Sequence, residues 1–172
     1  KINILINFGS TDINNYTLII LNILSNFNFL GKIIIIMTKR SKNYKIIKKF
    51  LKSFKNLNIS LKSDIKPYQV SNIYSKSLFC IGSGGNSLYE RIAANLFSIV
   101  IPSNKLEEKS VNYNLYPDSL LFIKNLNLIN TKLLKTILKK LLTNKMKYKL
   151  SHQQKRFDDK GIERIERIIF DK

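Results

Sequence analysis

Ser77-Leu78-Phe79-Cys80-Ile81-Gly82-Ser83-Gly84-Gly85-Asn86-Ser87-Leu88-Tyr89-Glu90-Arg91-Ile92-Ala93-Ala94-Asn95-Leu96-Phe97-Ser98-Ile99-Val100-Ile101-Pro102 decides the fold. An apolar run over residues 77–81 has the length of a buried strand and meets a glycine-rich turn at once. A helix is predicted over residues 86–95, with Leu88, Tyr89, Ile92, Ala93 and Leu96 on one side. A second apolar run, residues 97–101, stops at Pro102. Strand, helix and strand in that order, with neither strand alternating polar and apolar residues, imply parallel pairing beneath covering helices.

The pattern extends in both directions. Residues 2–8 and 32–37 are β-branched apolar runs, and residues 57–61 and 120–123 are shorter strand candidates. Between them, Tyr16, Ile19, Ile20, Ile23, Leu24 and Phe27 recur at helical spacing, as do Tyr44, Ile47, Phe50, Leu51 and Phe54. Short helices are expected over residues 70–75 and 104–114. A long one is expected around Leu134, Ile137, Leu138 and Leu141. After a polar stretch from Ser151, Ile162, Ile165 and Ile169 suggest a tail helix. The expectation is one α/β domain over residues 1–172, a Rossmann-like parallel sheet of about six strands with helices on both faces. The chain opens on Lys1 and enters an apolar run at once, so it reads as a fragment or a processed chain.

Composition narrows the function. The formal charge is +19, from 30 Lys and Arg against 11 Asp and Glu. Such a charge suits a phosphate-rich partner, yet the lysines are scattered over helix faces and loops. Aromatic residues do not interleave with them as on a single-strand stacking platform. Lys, Asn and Ile crowd the whole chain, so the charge reads as compositional background and no specific nucleic-acid partner is expected. The single cysteine, Cys80, excludes an internal disulfide and a cysteine-based zinc cluster. It reads as a core thiol. No metal or other cofactor is expected. No apolar run reaches transmembrane length and no signal peptide is visible, which makes a cytoplasmic protein the expectation.

In open parallel sheets, ligands bind beyond the carboxyl ends of the strands. Two such ends carry turn chemistry suited to an anion, Phe8-Gly9-Ser10-Thr11 and Gly82-Ser83-Gly84-Gly85-Asn86-Ser87. In the second, glycines allow close approach of backbone to ligand. The following helix aims free N–H groups and its positive dipole end at the loop, and Ser83 and Ser87 add hydroxyls. A tight strand-to-helix turn without a ligand explains the same glycines. Glu90 lies about one turn into that helix, where a carboxylate is favoured by the dipole alone. The same carboxylate could instead accept both hydroxyls of a ribose. There is no Gly-Lys-Ser/Thr phosphate loop. Gly82-Ser83-Gly84 lacks the third glycine of a dinucleotide fingerprint, and Ser83 is not in a nucleophile elbow. The one histidine, His152, lies in the polar tail and reads as solvated, so no histidine base is evident.

The segment Ile81-Gly82-Ser83-Gly84-Gly85-Asn86-Ser87-Leu88-Tyr89-Glu90-Arg91, with Ser98-Ile99-Val100-Ile101-Pro102 after it, resembles the donor-binding C-terminal half of GT-B proteins. Within them the chain resembles the UDP-sugar hydrolase family of pseudaminic acid biosynthesis, which lies near the family-28 glycosyltransferases. Ile4-Leu5-Ile6-Asn7-Phe8-Gly9-Ser10-Thr11-Asp12 resembles that family's opening strand and turn, and Ser103-Asn104 its Asn-Gln region. Asp159-Lys160-Gly161-Ile162-Glu163-Arg164-Ile165 resembles its terminal segment. The resemblance covers residues 2–168. It implies one half of a GT-B fold that binds UDP or a UDP-sugar, without a cofactor, against its own N-terminal domain. Glu90 would bind ribose, Gly84, Gly85, Asn86 and Ser87 would hold the diphosphate, and Gly9 and Ser10 would face the sugar diphosphate. Asn104 would lie near the sugar and assist the chemistry, with the main catalytic histidine supplied by the N-terminal half. The sequence departs from the pattern at Ser10, where a second glycine is common, and at Lys105, where Gln is usual. A sugar transferase of the same fold, a non-catalytic nucleotide-sugar-binding domain and a nucleic-acid module are the alternative readings.

Overall fold

Ile4, Leu5 and Ile6 are consecutive and all fully buried at the centre of strand β1 (Asn3–Asn7). Side chains alternate across a strand, so this burial requires cover on both faces of the sheet. The computed structural model provides it, and describes residues 3–26, 29–111, 119–124 and 131–143. Strand β1 pairs in parallel with β2 (Lys32–Ile36) on one side and β4 (Phe79–Gly82) on the other. Beyond β2 lies β3 (Asn58–Lys62). Beyond β4 lie β5 (Ser98–Val100) and β6 (Leu120–Phe122). The sheet is six-stranded and parallel in the order β3-β2-β1-β4-β5-β6, the order of a Rossmann-like fold.

Register sorts the core into two layers. Leu5 sits opposite Ile34 and Cys80. These three pack with Tyr74 of α3 (Pro67–Lys76) and Leu96. Further along the same helical layer, Leu88 and Ile92 of α4 (Asn86–Ala93) pack with Val100, Val111 and Leu120. Ile4, Ile6, Ile33, Ile35, Phe79 and Ile81 join the larger core instead. Helices α1 (Tyr16–Asn26), α2 (Tyr44–Phe50) and α6 (Thr131–Thr143) supply its cover through Ile20, Leu24, Ile47, Leu134 and Leu138.

Sequence and structure differ in detail. Helix α3 begins at Pro67, three residues earlier than the spacing predicts. Proline is favoured in a first turn because it lacks an N–H that would go unpaired there, and the Lys66 N–H is satisfied by the Gln69 side chain at 2.9 Å. Helix α5 (Lys105–Ser110) is shorter than residues 104–114. Ile19, Phe50 and Tyr89, counted among the apolar faces, are substantially exposed. The core needs a narrower stripe of each helix than the apolar pattern offers. In α4 the buried set is Leu88, Arg91 and Ile92. The tail helix, His152 and residues 159–165 lie outside the described residues.

Candidate functional site

The chain runs outward in one direction from β1 through β2 to β3, and in the other from β4 to β6. The reversal leaves a crevice at the carboxyl ends of β1 and β4, the usual ligand position in such sheets. Both predicted turns open there. Gly9 adopts φ +75°, a left-handed conformation that favours glycine. Its N–H donates to Asn7 Oδ1 at 2.9 Å, which folds the turn back on its own strand. The following Asp12 caps α1, with Oδ1 accepting from the Tyr16 N–H and Oδ2 from the Thr17 N–H. Burial pushes the Asp12 carboxyl upward, and these hydrogen bonds oppose the shift. Asn14 Nδ2 donates to Ser103 O at 2.8 Å, joining the loop after β1 to the loop after β5.

The glycine loop is shaped chiefly from within. A Cβ on Gly82 would meet Asn7 O at 2.1 Å, and one on Gly84 would meet Val111 Cγ2 at 2.6 Å. Both positions exclude a side chain through internal packing. The Gly84 N–H also has a partner, donating to Glu107 Oε2 at 3.2 Å. The same oxygen accepts from the Ser103 N–H at 2.8 Å. A carboxylate of this chain therefore already sits on one edge of the loop. Gly85 caps α4, and its N–H and those of Asn86 and Ser87 donate to no described residue. These three groups form the open end of the helix.

A cleft of ≈ 310 Å³ collects Asn7, Gly9, Ser10, Thr38, Ser87 and Glu90. Four predicted site residues thus share one wall-to-wall space. It continues past Glu90 and Tyr74 into a second cleft of ≈ 510 Å³, whose apolar sides include Ile65, Pro67, Val70 and Ala93. Glu90 stands where the two meet. Tyr74, almost wholly buried, donates its hydroxyl to Glu90 Oε2 at 3.2 Å. Burial, and after it the Glu90 carboxylate, raises the Tyr74 phenol above its ordinary value, with the Arg91 charge opposing.

Ser83 and Gly84 are buried, and they line the loop's interior rather than this cleft. Asn86 is exposed at the start of α4. Asn104 is the N-cap of α5, its Oδ1 accepting from the Glu107 N–H at 2.8 Å. Sequence reasoning missed Tyr74, Thr38 and Ile65, which reach the cleft from other elements, and also Glu107 and Arg91. Arg91 left one signal, a cation between Leu88 and Ile92 on the apolar stripe of α4. Burial raises the Cys80 thiol, consistent with a core position. No group of His, Cys, Asp and Glu able to hold a metal occurs among the described residues. No described helix is long and apolar enough to cross a membrane.

No protein-family model and no curated protein sequence matches this chain. Its fold is shared with solved structures. The Acinetobacter baumannii MurG structure matches 99% of this chain with a TM-score of 0.74 at 12% identity. The catalytic domain of the cholesterol-alpha-glucosyltransferase from Helicobacter pylori matches 90% of it, with a TM-score of 0.63 at 12% identity, and is itself covered to 95%. The S. aureus MnaA–UDP co-structure matches 90% with a TM-score of 0.58 at 20% identity. The chain spans 50% of the MurG chain and 39% of the MnaA chain. At these identities the likeness is one of fold: a Rossmann-like sheet of the kind found in GT-B domains.

Proposed function

We propose that this domain binds a UDP-sugar at the β1/β4 crevice and serves as the nucleotide-sugar half of a two-domain GT-B enzyme. One observation carries the reading. Gly9, Ser10, Ser87 and Glu90 line one cleft, and Ser87 brings to it the start of α4, whose first N–H groups donate to no described residue. The helix end suits a diphosphate. Ser87 adds a hydroxyl and Gly9 and Ser10 border the diphosphate from the neighbouring strand. Glu90 receives the ribose hydroxyls, and the apolar cleft beyond it, past Ile65 and Pro67, has room for the base. Gly84 contributes backbone shape, since its N–H is engaged by Glu107. The UDP bound in the MnaA structure of like fold supports the choice of nucleotide.

The reaction we propose is hydrolysis of a UDP-sugar, on the pathway to a nonulosonic acid for surface polysaccharide or flagellin. Its support is the motif resemblance, including the segment over residues 159–165. Asn104 keeps its amide nitrogen for the sugar while its oxygen caps α5, and the water-activating histidine belongs to the N-terminal half. Sugar transfer is the second reading, favoured by the glucosyltransferase of like fold. Calorimetry on this domain tests the shared claim. UDP should bind at one site, more tightly than CDP or ADP, and uridine should bind more weakly than UDP. Binding of all three diphosphates with equal affinity would refute the uridine claim. Assaying the domain joined to its N-terminal half then separates the two reactions: release of free sugar supports hydrolysis, and transfer to an acceptor without hydrolysis refutes it.

A further inference from the structure

Arg91 is the largest fully buried side chain among the described residues. A guanidinium is always charged in proteins, and burying it without a counter-ion is costly. Neither ion pair among the described residues involves it. Hydrogen bonds hold it instead. Nε donates to Ser98 Oγ at 3.1 Å, Nη1 to Ser87 Oγ at 3.1 Å and Nη2 to the Ser83 carbonyl at 2.6 Å.

Two of those acceptors belong to the glycine loop and the start of α4, and each contact has a consequence. Drawing the Ser83 carbonyl inward fixes its peptide plane. The C=O and N–H of a trans peptide point in opposite directions, so the Gly84 N–H faces away from Arg91, where Glu107 meets it. At Ser87, the hydroxyl oxygen accepts from Arg91, which leaves its hydrogen to be donated elsewhere. Ser98 shows the complete pattern inside the core: it accepts from Arg91 Nε and donates to Leu96 O at 3.2 Å. Ser87 has the same inward partner, yet no described acceptor takes its proton, and it lines the cleft.

We infer that Arg91 is a positioning residue for the ligand's diphosphate: through Ser87 it presents a hydroxyl donor to a phosphate oxygen, and it places an unneutralised positive charge beneath the loop. The inference rests on reading this cleft as the nucleotide site. The diphosphate supplies the negative charge that Arg91 lacks. The guanidinium never touches the ligand.

The test compares UDP with uridine on the intact domain, because their affinity ratio isolates the phosphate contribution. Arg91→Lys keeps a charge but loses the fork that holds Ser83 and Ser87 together. It should lower UDP affinity about tenfold or more and leave uridine affinity unchanged. Ser87→Ala, which leaves the buried charge in place, should lower the ratio to a similar extent. The double variant should be little worse than the larger single one, as expected for residues acting through one contact. An unchanged ratio in Arg91→Lys, or equal weakening of both ligands, overturns the inference and leaves Arg91 a structural residue. If Arg91→Lys does not fold, Ser87→Ala decides alone, and an unchanged ratio there overturns the route through Ser87. A parent domain that binds UDP no better than uridine would instead overturn the nucleotide reading itself, and the inference with it.

Discussion

The Tyr74 hydroxyl donates to Glu90 Oε2 at 3.2 Å, tying α3 to α4 across the junction of the two clefts. The phenol ring is in the core with Leu5 and Cys80, so one end of the pair is fixed. Glu90, on an exposed turn of α4, acquires a preferred direction from that fixed partner.

Removing the hydroxyl should therefore loosen the carboxylate without removing it. Tyr74→Phe is expected to weaken UDP binding about twofold to tenfold, the range of one ordinary hydrogen bond. The ring stays, so the fold should lose no more than about 1.5 kcal/mol. Calorimetry and thermal melting on the same sample check both parts. Full-strength UDP binding by the variant would show that Glu90 needs no such support.

The same pair sets an alkaline dependence. Burial first, and the Glu90 charge second, hold the Tyr74 phenol above its ordinary value near 10. A group raised in the folded state favours folding in its protonated form. Its contribution is fully present below pH 10 and is lost as pH rises through the raised value. Stability should fall above about pH 10, and Tyr74→Phe should fall less steeply there. Urea unfolding of parent and variant between about pH 8 and 11 checks this, and the lysines, common to both proteins, cancel in the difference. Parallel curves would contradict it.

Glu107 gives a prediction with two opposite signs. Its carboxylate bridges the Gly84 and Ser103 N–H groups and lies beside the loop proposed for the diphosphate. Glu107→Gln keeps an acceptor and removes the charge. UDP affinity should rise about twofold to fivefold as repulsion falls, while stability falls by about 0.5–1.5 kcal/mol as two charge-assisted hydrogen bonds weaken. Affinity and stability falling together would mean that Glu107 serves only to hold the loop.

The charge of +19 should express itself without selectivity. Binding to random duplex DNA should be weak at low salt and collapse steeply as salt rises, because it rests on counter-ion release. UDP should compete poorly for it. A submicromolar, sequence-selective complex at physiological salt would refute the background reading of the lysines.

The strands were legible because Ile4 to Ile6 and Ile33 to Ile35 leave no polar face, a pattern that only a doubly covered sheet satisfies. Gly9, Ser87 and Glu90 were legible because each sits at a set distance from a strand end. Arg91 was not, since a cation on a helix ordinarily reads as solvated and only the fold reveals Ser83 and Ser98 waiting for it. Glu107 was not, since its bond to Gly84 spans 23 residues of sequence. The sequence left two causes open for the loop glycines, a ligand or a tight turn, and at Gly82 and Gly84 the fold supplies a packing reason in Asn7 and Val111. Asn104, singled out by resemblance for the sugar, is engaged at its oxygen as a helix cap.

Glu90→Ala, measured by UDP calorimetry beside thermal melting, tests the central claim most directly. If the carboxylate accepts the ribose hydroxyls, the variant loses charge-assisted hydrogen bonds of about 1.5–3 kcal/mol, roughly a tenfold to hundredfold loss of affinity. Stability should change by less than about 1.5 kcal/mol, since Glu90 holds one hydrogen bond to Tyr74 and lies beyond the first turn of α4, where the helix dipole adds little. A variant that binds UDP as tightly as the parent but melts much earlier would make Glu90 a structural residue and contradict the account.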